Sequence, residues 1–327
     1  MTFAPDRYAR MPYRRCGRSG LQLPAVSLGG WHAIGGYRDD QASRRIFFAA
    51  FDLGITHFDF ANNYGRQPGE SEALFGRILK DMPRHELVIS SKAGYRMWPG
   101  PYGDLGSRKY LIESCEQSLT RLGVDHVDIF YSHRFDPDTP LEETIGALDT
   151  LVRQGKALYA GLSNYDDPHF SAAVALTRAR SWAPITIHQP RYNLIDRKPE
   201  TTVLPTAGRE NIGTIVFSPL AQGVLAGRYL DGIPAGSRAA AAPGNGAISE
   251  GAVTPAIIEK SRRLNAIAQR RGQTLAQMSL AWLLKDPRVT SVLIGASAPE
   301  QLAENVKCLD KPTFTAEELV EIDAACA

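Results

Sequence analysis

The sequence predicts an α/β chain whose eight parallel strands close into a (β/α)8 TIM barrel, with a short N-terminal β-hairpin. Two observations lead there. Eight short apolar runs recur along the 327 residues, each ending in a polar or glycine-containing turn. Between most of them lie stretches with helical period and recognisable ends. Such alternation implies parallel neighbours, which need crossover helices, and eight units close naturally into a barrel. An open doubly wound sheet is the alternative. It ranks lower because "LGGWHAIGG" (28–36) carries its glycines at the wrong spacing for a dinucleotide-binding turn.

Taken in order, "YRRCGRSGLQLPAV" reads as a hairpin within 13–27, with its turn at Gly17–Gly20, placed to plug the bottom of the barrel. The strands follow as "AVSLGG" (25–30), "THFDFA" (56–61), "LVISSKAG" (87–94) and "VDIFYSH" (127–133). The second half supplies "ALYAGLS" (157–163), "ITIHQP" (185–190), "TIVFSPL" (214–220) and "SVLIGAS" (291–297). Residues 41–53 place Ile46, Ala49, Ala50 and Leu53 on one helical face, and Gly54 ends the helix. Residues 108–122 do the same with Leu111, Cys115, Leu119 and Leu122, before Gly123. "TPLEETIGALDTLVRQG" predicts Thr139 as N-cap, Pro140 at the first helical position, Glu142 closing a capping box and Gly155 as the stop. "TLAQMSLAWLLKD" continues the pattern. The glycine-rich stretch 232–256 has no apolar period and follows the seventh strand, which puts it on the active face as a loop. The whole chain, 1–327, reads as a single domain.

Bulk composition excludes several functions. Lys+Arg is 37 and Asp+Glu is 35, so no broad basic field exists for nucleic acid or an anionic membrane. No run of 18 apolar residues suggests a membrane span, and the N-terminus lacks the apolar core of a secretory signal. Cys16, Cys115, Cys308 and Cys326 form no C-x-x-C pair, which fits thiols in a reducing, cytoplasmic setting and no metal site.

Catalytic groups of such barrels sit at the C-terminal ends of strands. The second strand ends with Asp59 and then Tyr64, the third with Lys92, the fourth with His133. Free tyrosine, with a pKa near 10, is a weak acid at neutral pH. A nearby Lys92 ammonium is expected to lower that pKa, Asp59 to balance the lysine, and neutral His133 to orient a carbonyl. The set suits protonating an oxygen while its carbon accepts hydride. Any one of these residues alone is more often a cap or a surface charge; their conjunction on three consecutive strands carries the reading.

On these residues the chain resembles the aldo-keto reductase family. "HFDFANNYG", "SSKAGY" and "IFYSH" resemble its catalytic stretches, and "GLSNY", "HQPRYN", "FSPLAQGVLAGRY" and "VLIGASAPEQLAENV" its cofactor-binding stretches, in the same order. The likeness covers roughly 13–325. It is strongest to the branch holding bacterial L-glyceraldehyde 3-phosphate reductases and potassium-channel β-subunits, through "KAGYRMWPGPYG" and "LAQGVLAGRYLDGIP".

The resemblance implies an Asp59–Tyr64–Lys92–His133 tetrad, NADPH/NADP+ as cofactor, a small aldehyde substrate and a homo-oligomer. It implies that Ser163, Asn164 and Gln189 hold the nicotinamide carboxamide and that Phe217 stacks under the ring. Ser218, Leu220, Gly223 and Leu225 would line the pyrophosphate path. Trp31 and Gly295 complete the expected cofactor contacts, and Arg228 and Arg238 are the basic candidates for phosphate. The order Ser297, Pro299, Glu300 reads as a capping box opening a helix. A helix N-terminus suits a phosphate, so Ser297, Gln301 and Asn305 are expected at the adenosine end. Trp31, Tyr64, Trp98, His133 and Arg134 are expected around the substrate, with Arg66 or Arg96 as further phosphate attractors. Two rivals remain open: an NADP(H)-sensing subunit with slow turnover, and a hydrolase or aldolase using Lys92 as a Schiff-base nucleophile.

Overall fold

The computed structural model describes residues 3–31, 34–235, 237, 239–240 and 253–326. An antiparallel hairpin, β1 (Tyr13–Arg15) and β2 (Gln22–Pro24), precedes a closed parallel barrel. The barrel strands are β3 (Val26–Gly29), β4 (His57–Asp59), β5 (Val88–Ala93), β6 (Val127–Ser132), β7 (Ala157–Ser163), β8 (Ile185–Gln189), β9 (Gly213–Val216) and β10 (Ser291–Ile294). They follow chain order around the ring, with β10 pairing β3 to close it. All eight predicted strands are present; β7 coincides with its run at 157–163, and the other seven are one to three residues shorter than theirs.

Helices fill the crossovers. α1 (Asp40–Asp52) starts where the Asp39 side chain accepts from the Ala42 amide, and ends before Gly54 at φ 81°. α2 (Glu70–Leu79) follows Gly69, which offers no capping side chain. α3 (Arg108–Leu122) runs from a Ser107 cap to Gly123 at φ 67°. α4 (Leu141–Arg153) begins one residue later than predicted: Pro140 is the N-cap, and no capping box forms. Asp136 Oδ1 already takes the backbone N–H groups of Asp138 and Thr139, at 2.9 and 3.3 Å, so the turn is organised from upstream. α5 (Asp167–Ala179) and α6 (Val203–Glu210) cover β8 and β9. Between β9 and β10 lie α7 (Pro255–Arg270) and α8 (Leu275–Leu284); α8 is opened by a complete Thr274–Gln277 capping box and is buried all round. α9 (Pro299–Val306) and α10 (Ala316–Cys326) finish the chain. Among the described residues, no helix is long and apolar enough to cross a membrane.

The hairpin closes the N-terminal end of the barrel. Cys16, Leu21 and Leu23 join Ile129, Tyr131, Ile187, Ile215 and Leu293 in one buried cluster. Two glycines permit this packing. A Cβ on Gly213 would lie 2.7 Å from Cys16 Cα, and one on Gly161 would lie 2.4 Å from the Tyr131 ring.

The interior has two halves. Ile129, Tyr131, Ile187 and Ile215, from β6, β8 and β9, are apolar. Ser291, Ser27, His57 and Ser90, from the four adjacent strands β10, β3, β4 and β5, are polar and fully buried. Ser90 and Lys92 pair in register with Ile129 and Tyr131, so they share the inward face.

Buried His57, His133 and His188 make the fold sensitive to acid, and His133 too is held well below the ordinary imidazole value. Burial pulls His57 down to about 4, and His188, stacked on Phe170 at 4.4 Å, down to about 3. An unfolded histidine titrates near 6.5. Below that pH the unfolded chain binds protons that the folded chain refuses, so stability falls as pH falls. By pH 5 His57 and His188 cost about 2 kcal/mol each, roughly 4 together, and His133 adds to that loss. Urea midpoints are expected to be unchanged from pH 8 to 7 and to drop clearly by pH 5. A flat profile over that range would contradict the buried, neutral assignment.

Candidate active site

The catalytic candidates meet because strand pairing continues past the end of β4. The Phe60 amide donates to the Ser90 carbonyl at 2.9 Å, and the Asn62 amide to the Lys92 carbonyl at 2.9 Å. The chain is thereby held against β5 until it turns outward at Tyr64. Inside, Lys92 Nζ donates to Asp59 Oδ2 at 2.5 Å and to the Phe60 carbonyl at 2.7 Å, and both side chains are fully buried. The ammonium lies 5.1 Å from the centre of the Tyr64 ring. His133 meets that ring edge-on at 5.8 Å, Trp31 lies against it at 6.2 Å, and Tyr95 backs His133 at 4.7 Å. The four predicted catalytic residues therefore converge.

One expectation is reversed. Tyr64 is pushed well above the ordinary phenol value, by burial first and then by the charges of Asp59 and Tyr95. The expected help from Lys92 fails because Asp59 sits 2.5 Å from the ammonium. The pair presents little net positive charge to the phenol, while the carboxylate acts against phenolate formation. Burial likewise pulls Lys92 below the lysine range, opposed by Asp59 and Glu72. His133 is held far below the imidazole value by burial and by the charges of Lys92 and Arg134, so it is neutral, with one N–H to donate.

A cavity of about 390 Å³ opens beside these groups. Of the predicted residues it brings together Trp31, Asp59, Tyr64, Phe217, Ser218, Leu220, Gly223, Arg228, Gly295, Ser297 and Gln301. Ser163, Asn164 and Gln189 do not line it but form one hydrogen-bonded group behind it. Ser163 Oγ donates to the Gln189 carbonyl at 2.9 Å, Asn164 Nδ2 to the His133 carbonyl at 3.0 Å, and Gln189 Nε2 to Asp59 Oδ1 at 3.3 Å. Leu225 is buried in the hydrophobic core. Arg238 lies outside the described residues.

Ser297 does not cap α9, whose N-cap is Ala298. Its N–H and hydroxyl donate instead to Gln301 Oε1, at 2.8 and 3.1 Å, which occupies the side chain that would have capped. Trp98 packs on Tyr110 at 5.4 Å. Arg134 is engaged: it donates to the Gly94 carbonyl and to Asp104, both at 2.7 Å, and stacks over Tyr95. Arg66 and Arg96 are exposed.

Sequence reasoning missed Arg38 and Gln222, which also line the cavity. Arg38 lies nine residues past the end of β3, beyond the reach of a strand-end rule. A backbone signal marks the other side. Asn164, Ser218, Ala221 and Gln222 all take positive φ, between 45° and 55°, which non-glycine residues adopt at a cost and which clusters at functional sites.

The lining suits an anionic dinucleotide. Arg38 and Arg228 are exposed, with no ion-pair partner among the described residues. Phe217 offers a ring face. Asn305, expected at the adenosine end, does not line this cavity; it is buried on α9, and its Nδ2 has no hydrogen-bond partner among the described residues. A second cavity, about 440 Å³, opens on the hairpin side between Arg18, Trp182 and Glu210, and holds none of the titrating cluster.

Comparison with known sequences agrees with this geometry. The sequence profile described as "Aldo/keto reductase family" matches residues 25–327. The chain belongs to the aldo/keto reductase family. It is 53% identical over 326 residues to a protein of Escherichia coli K12 named "L-glyceraldehyde 3-phosphate reductase", covering 98% of this chain and 93% of the relative. It is 36% identical to an Arabidopsis thaliana protein and 35% identical to an Oryza sativa protein, each named "Probable voltage-gated potassium channel subunit beta". Those alignments cover 92% of this chain and 92% of the first relative, and 96% of this chain and 96% of the second. Membership makes the chain an oxidoreductase, and the barrel with its hairpin is the fold the family resemblance led one to expect.

Proposed function

We propose that this aldo/keto reductase reduces small aldehydes with NADPH, L-glyceraldehyde 3-phosphate and short aldehydes such as methylglyoxal being the substrates to try first. The observation that carries the proposal is the Asp59–Lys92–Tyr64–His133 cluster beside a cavity with two arginines that have no ion-pair partner among the described residues. The 53% identity to the bacterial reductase supports the choice of substrate. Reduced nicotinamide, when bound, supplies the hydride. Phe217 would offer it a ring face, Ser163, Asn164 and Gln189 would hold its carboxamide, and Arg228 and Arg38 would offer charge to its phosphates.

The protein's own residues manage the proton. Neutral His133 donates its N–H to the substrate carbonyl and fixes its direction. Tyr64, with its raised pKa, stays protonated across the physiological range and is fully available as the donor. An alkoxide is a far stronger base than a phenolate, so transfer runs downhill despite that shift. The Lys92 ammonium lies 5.1 Å from the ring centre with its charge largely balanced by Asp59, so the pair keeps the site close to neutral as the phenol gives up its proton.

Absorbance at 340 nm with a panel of phosphorylated and unphosphorylated aldehydes is expected to show steady turnover, faster with NADPH than with NADH. Tight NADPH binding without turnover would favour the sensing role that the channel-subunit relatives suggest. In a second test, Arg228→Ala is expected to weaken NADPH binding about tenfold or more, the loss typical of a charged hydrogen bond, and NADH binding less. Equal losses for both cofactors would place Arg228 on the pyrophosphate rather than the 2′-phosphate.

A further inference from the structure

Beneath the catalytic pair lies a row of buried polar side chains that the proton transfer does not use. Ser291 Oγ lies 2.7 Å from Ser27 Oγ, and Ser27 Oγ lies 2.9 Å from His57 Nδ1. His57 Nε2 lies 2.9 Å from Ser90 Oγ, and Ser90 Oγ donates to Asp59 Oδ1 at 2.6 Å. The five side chains come from β10, β3, β4 and β5, and each is completely shielded from solvent.

Donor arithmetic gives the row one direction. Asp59, paired with the Lys92 ammonium, only accepts. Ser90 must spend its single hydroxyl proton on Asp59, so it can only accept from His57. His57 must therefore carry its proton on Nε2, and Nδ1 must accept from Ser27. Ser27, its own proton spent, must accept from Ser291. Every bond points toward the carboxylate, and cooperative polarisation along such a chain strengthens the last of them.

The far end is closed. Ser291 also lies 3.4 Å from the Ala25 carbonyl, inside the barrel wall, and none of the four members behind Asp59 lines the active-site cavity. A row without an exit cannot conduct protons to water, but it can hold and polarise what it ends on. Asp59 Oδ1 has one other partner, Gln189 Nε2, at the longer distance of 3.3 Å. Ser90 is thus the firm anchor of Oδ1, and that anchor leaves Oδ2 aimed at Lys92.

We propose that His57, through Ser90, is a positioning residue for the Asp59–Lys92 pair, and that it works as the Nε2–H tautomer set by the Ser291–Ser27 end of the row. The proposal rests on reading that pair as part of the active site. His57 touches neither substrate nor cofactor in this scheme; it keeps Asp59 from turning away from the ammonium that lies beside the Tyr64 ring.

The wild-type protein tests the tautomer directly. Nitrogen-15 NMR of labelled histidines, with His57 assigned by its loss in His57→Gln, is expected to show a neutral ring protonated on Nε2 from pH 8 to pH 6. A proton on Nδ1, or a charged ring in that range, would overturn the proposal. Kinetics test the consequence. His57→Leu is expected to lower kcat about 10- to 100-fold, by analogy with the loss when the outer partner of a metal-binding side chain is removed, with KM and NADPH affinity within about twofold of wild type. His57→Gln keeps an amide donor near Nε2 and is expected to recover most of that loss. Ser90→Ala is expected to match His57→Leu, and the double variant to fall no further, because both act through one bond. Wild-type kcat in a folded His57→Leu enzyme would refute the assignment. If that variant does not fold, the tautomer and Ser90→Ala decide the matter. A wild-type protein that turns over no aldehyde would instead count against the proposed function, leaving the tautomer readout to judge the row by itself.

Discussion

Tyr64→Phe is expected to reduce kcat by about 10²–10⁴, the usual loss when a general acid is removed, while NADPH affinity stays within about twofold of wild type. The substitution is clean for a structural reason. Among the described residues the Tyr64 hydroxyl makes no hydrogen bond to protein, and the ring contacts with Lys92, His133 and Trp31 need only the aromatic face. Removing a hydroxyl that has no protein partner strands no donor or acceptor, so folding stability should change little, and any lost rate reports on the proton. The direction of the Tyr64 shift adds a check on pH. A donor whose pKa is raised is fully protonated at every pH below its ordinary value, so it contributes no falling limb to the kcat profile between pH 6 and 9. A limb in that window that vanished in Tyr64→Phe would mean that cofactor binding brings the phenol back down. Full activity in the variant would remove Tyr64 from the mechanism.

The shift of Tyr64 shows where sequence reading stops. Residue types and strand ends were enough to bring Asp59, Lys92, Tyr64 and His133 together, because barrel topology decides which strand ends are neighbours and apolar runs locate the strands. The sign of the phenol's shift depends on distance. Lys92 acts as a lone cation only if Asp59 is remote, and at 2.5 Å it is not. The same limit applies to helix starts. Thr139 and Ser297 have the right chemistry for caps, but Asp136 and Gln301 reach the relevant groups first. α2 had no capping side chain to find. His57 and the three serines were hidden inside strands recognised by their apolar neighbours. A polar residue within such a run looks like noise until the ring closes and sets four of them side by side. Arg38 was invisible for the opposite reason, lying on a loop far from any strand end.

The Lys92–Asp59 pair also bears on stability, and Lys92→Met should expose this. Both side chains are completely buried. Removing the ammonium leaves Asp59 with Ser90 and Gln189 as donors but no compensating charge. Breaking a buried pair from one side typically costs about 3–5 kcal/mol, because a buried charge is stranded. Methionine nearly fills the volume of the lysine stem, so little of that cost comes from a cavity. Urea unfolding at pH 7.5 should show the full loss in Lys92→Met. The double variant Asp59→Asn with Lys92→Met should recover most of it, since an amide can keep the Ser90 bond without a charge to compensate. Activity should follow the opposite logic. Both variants remove the ammonium that lies beside the Tyr64 ring, so both should be nearly inactive even though one is stable. Stability and turnover would then separate at one ion pair. If the double variant proved as unstable as the single, the loss would lie in packing, and the charge argument for this pair would fail.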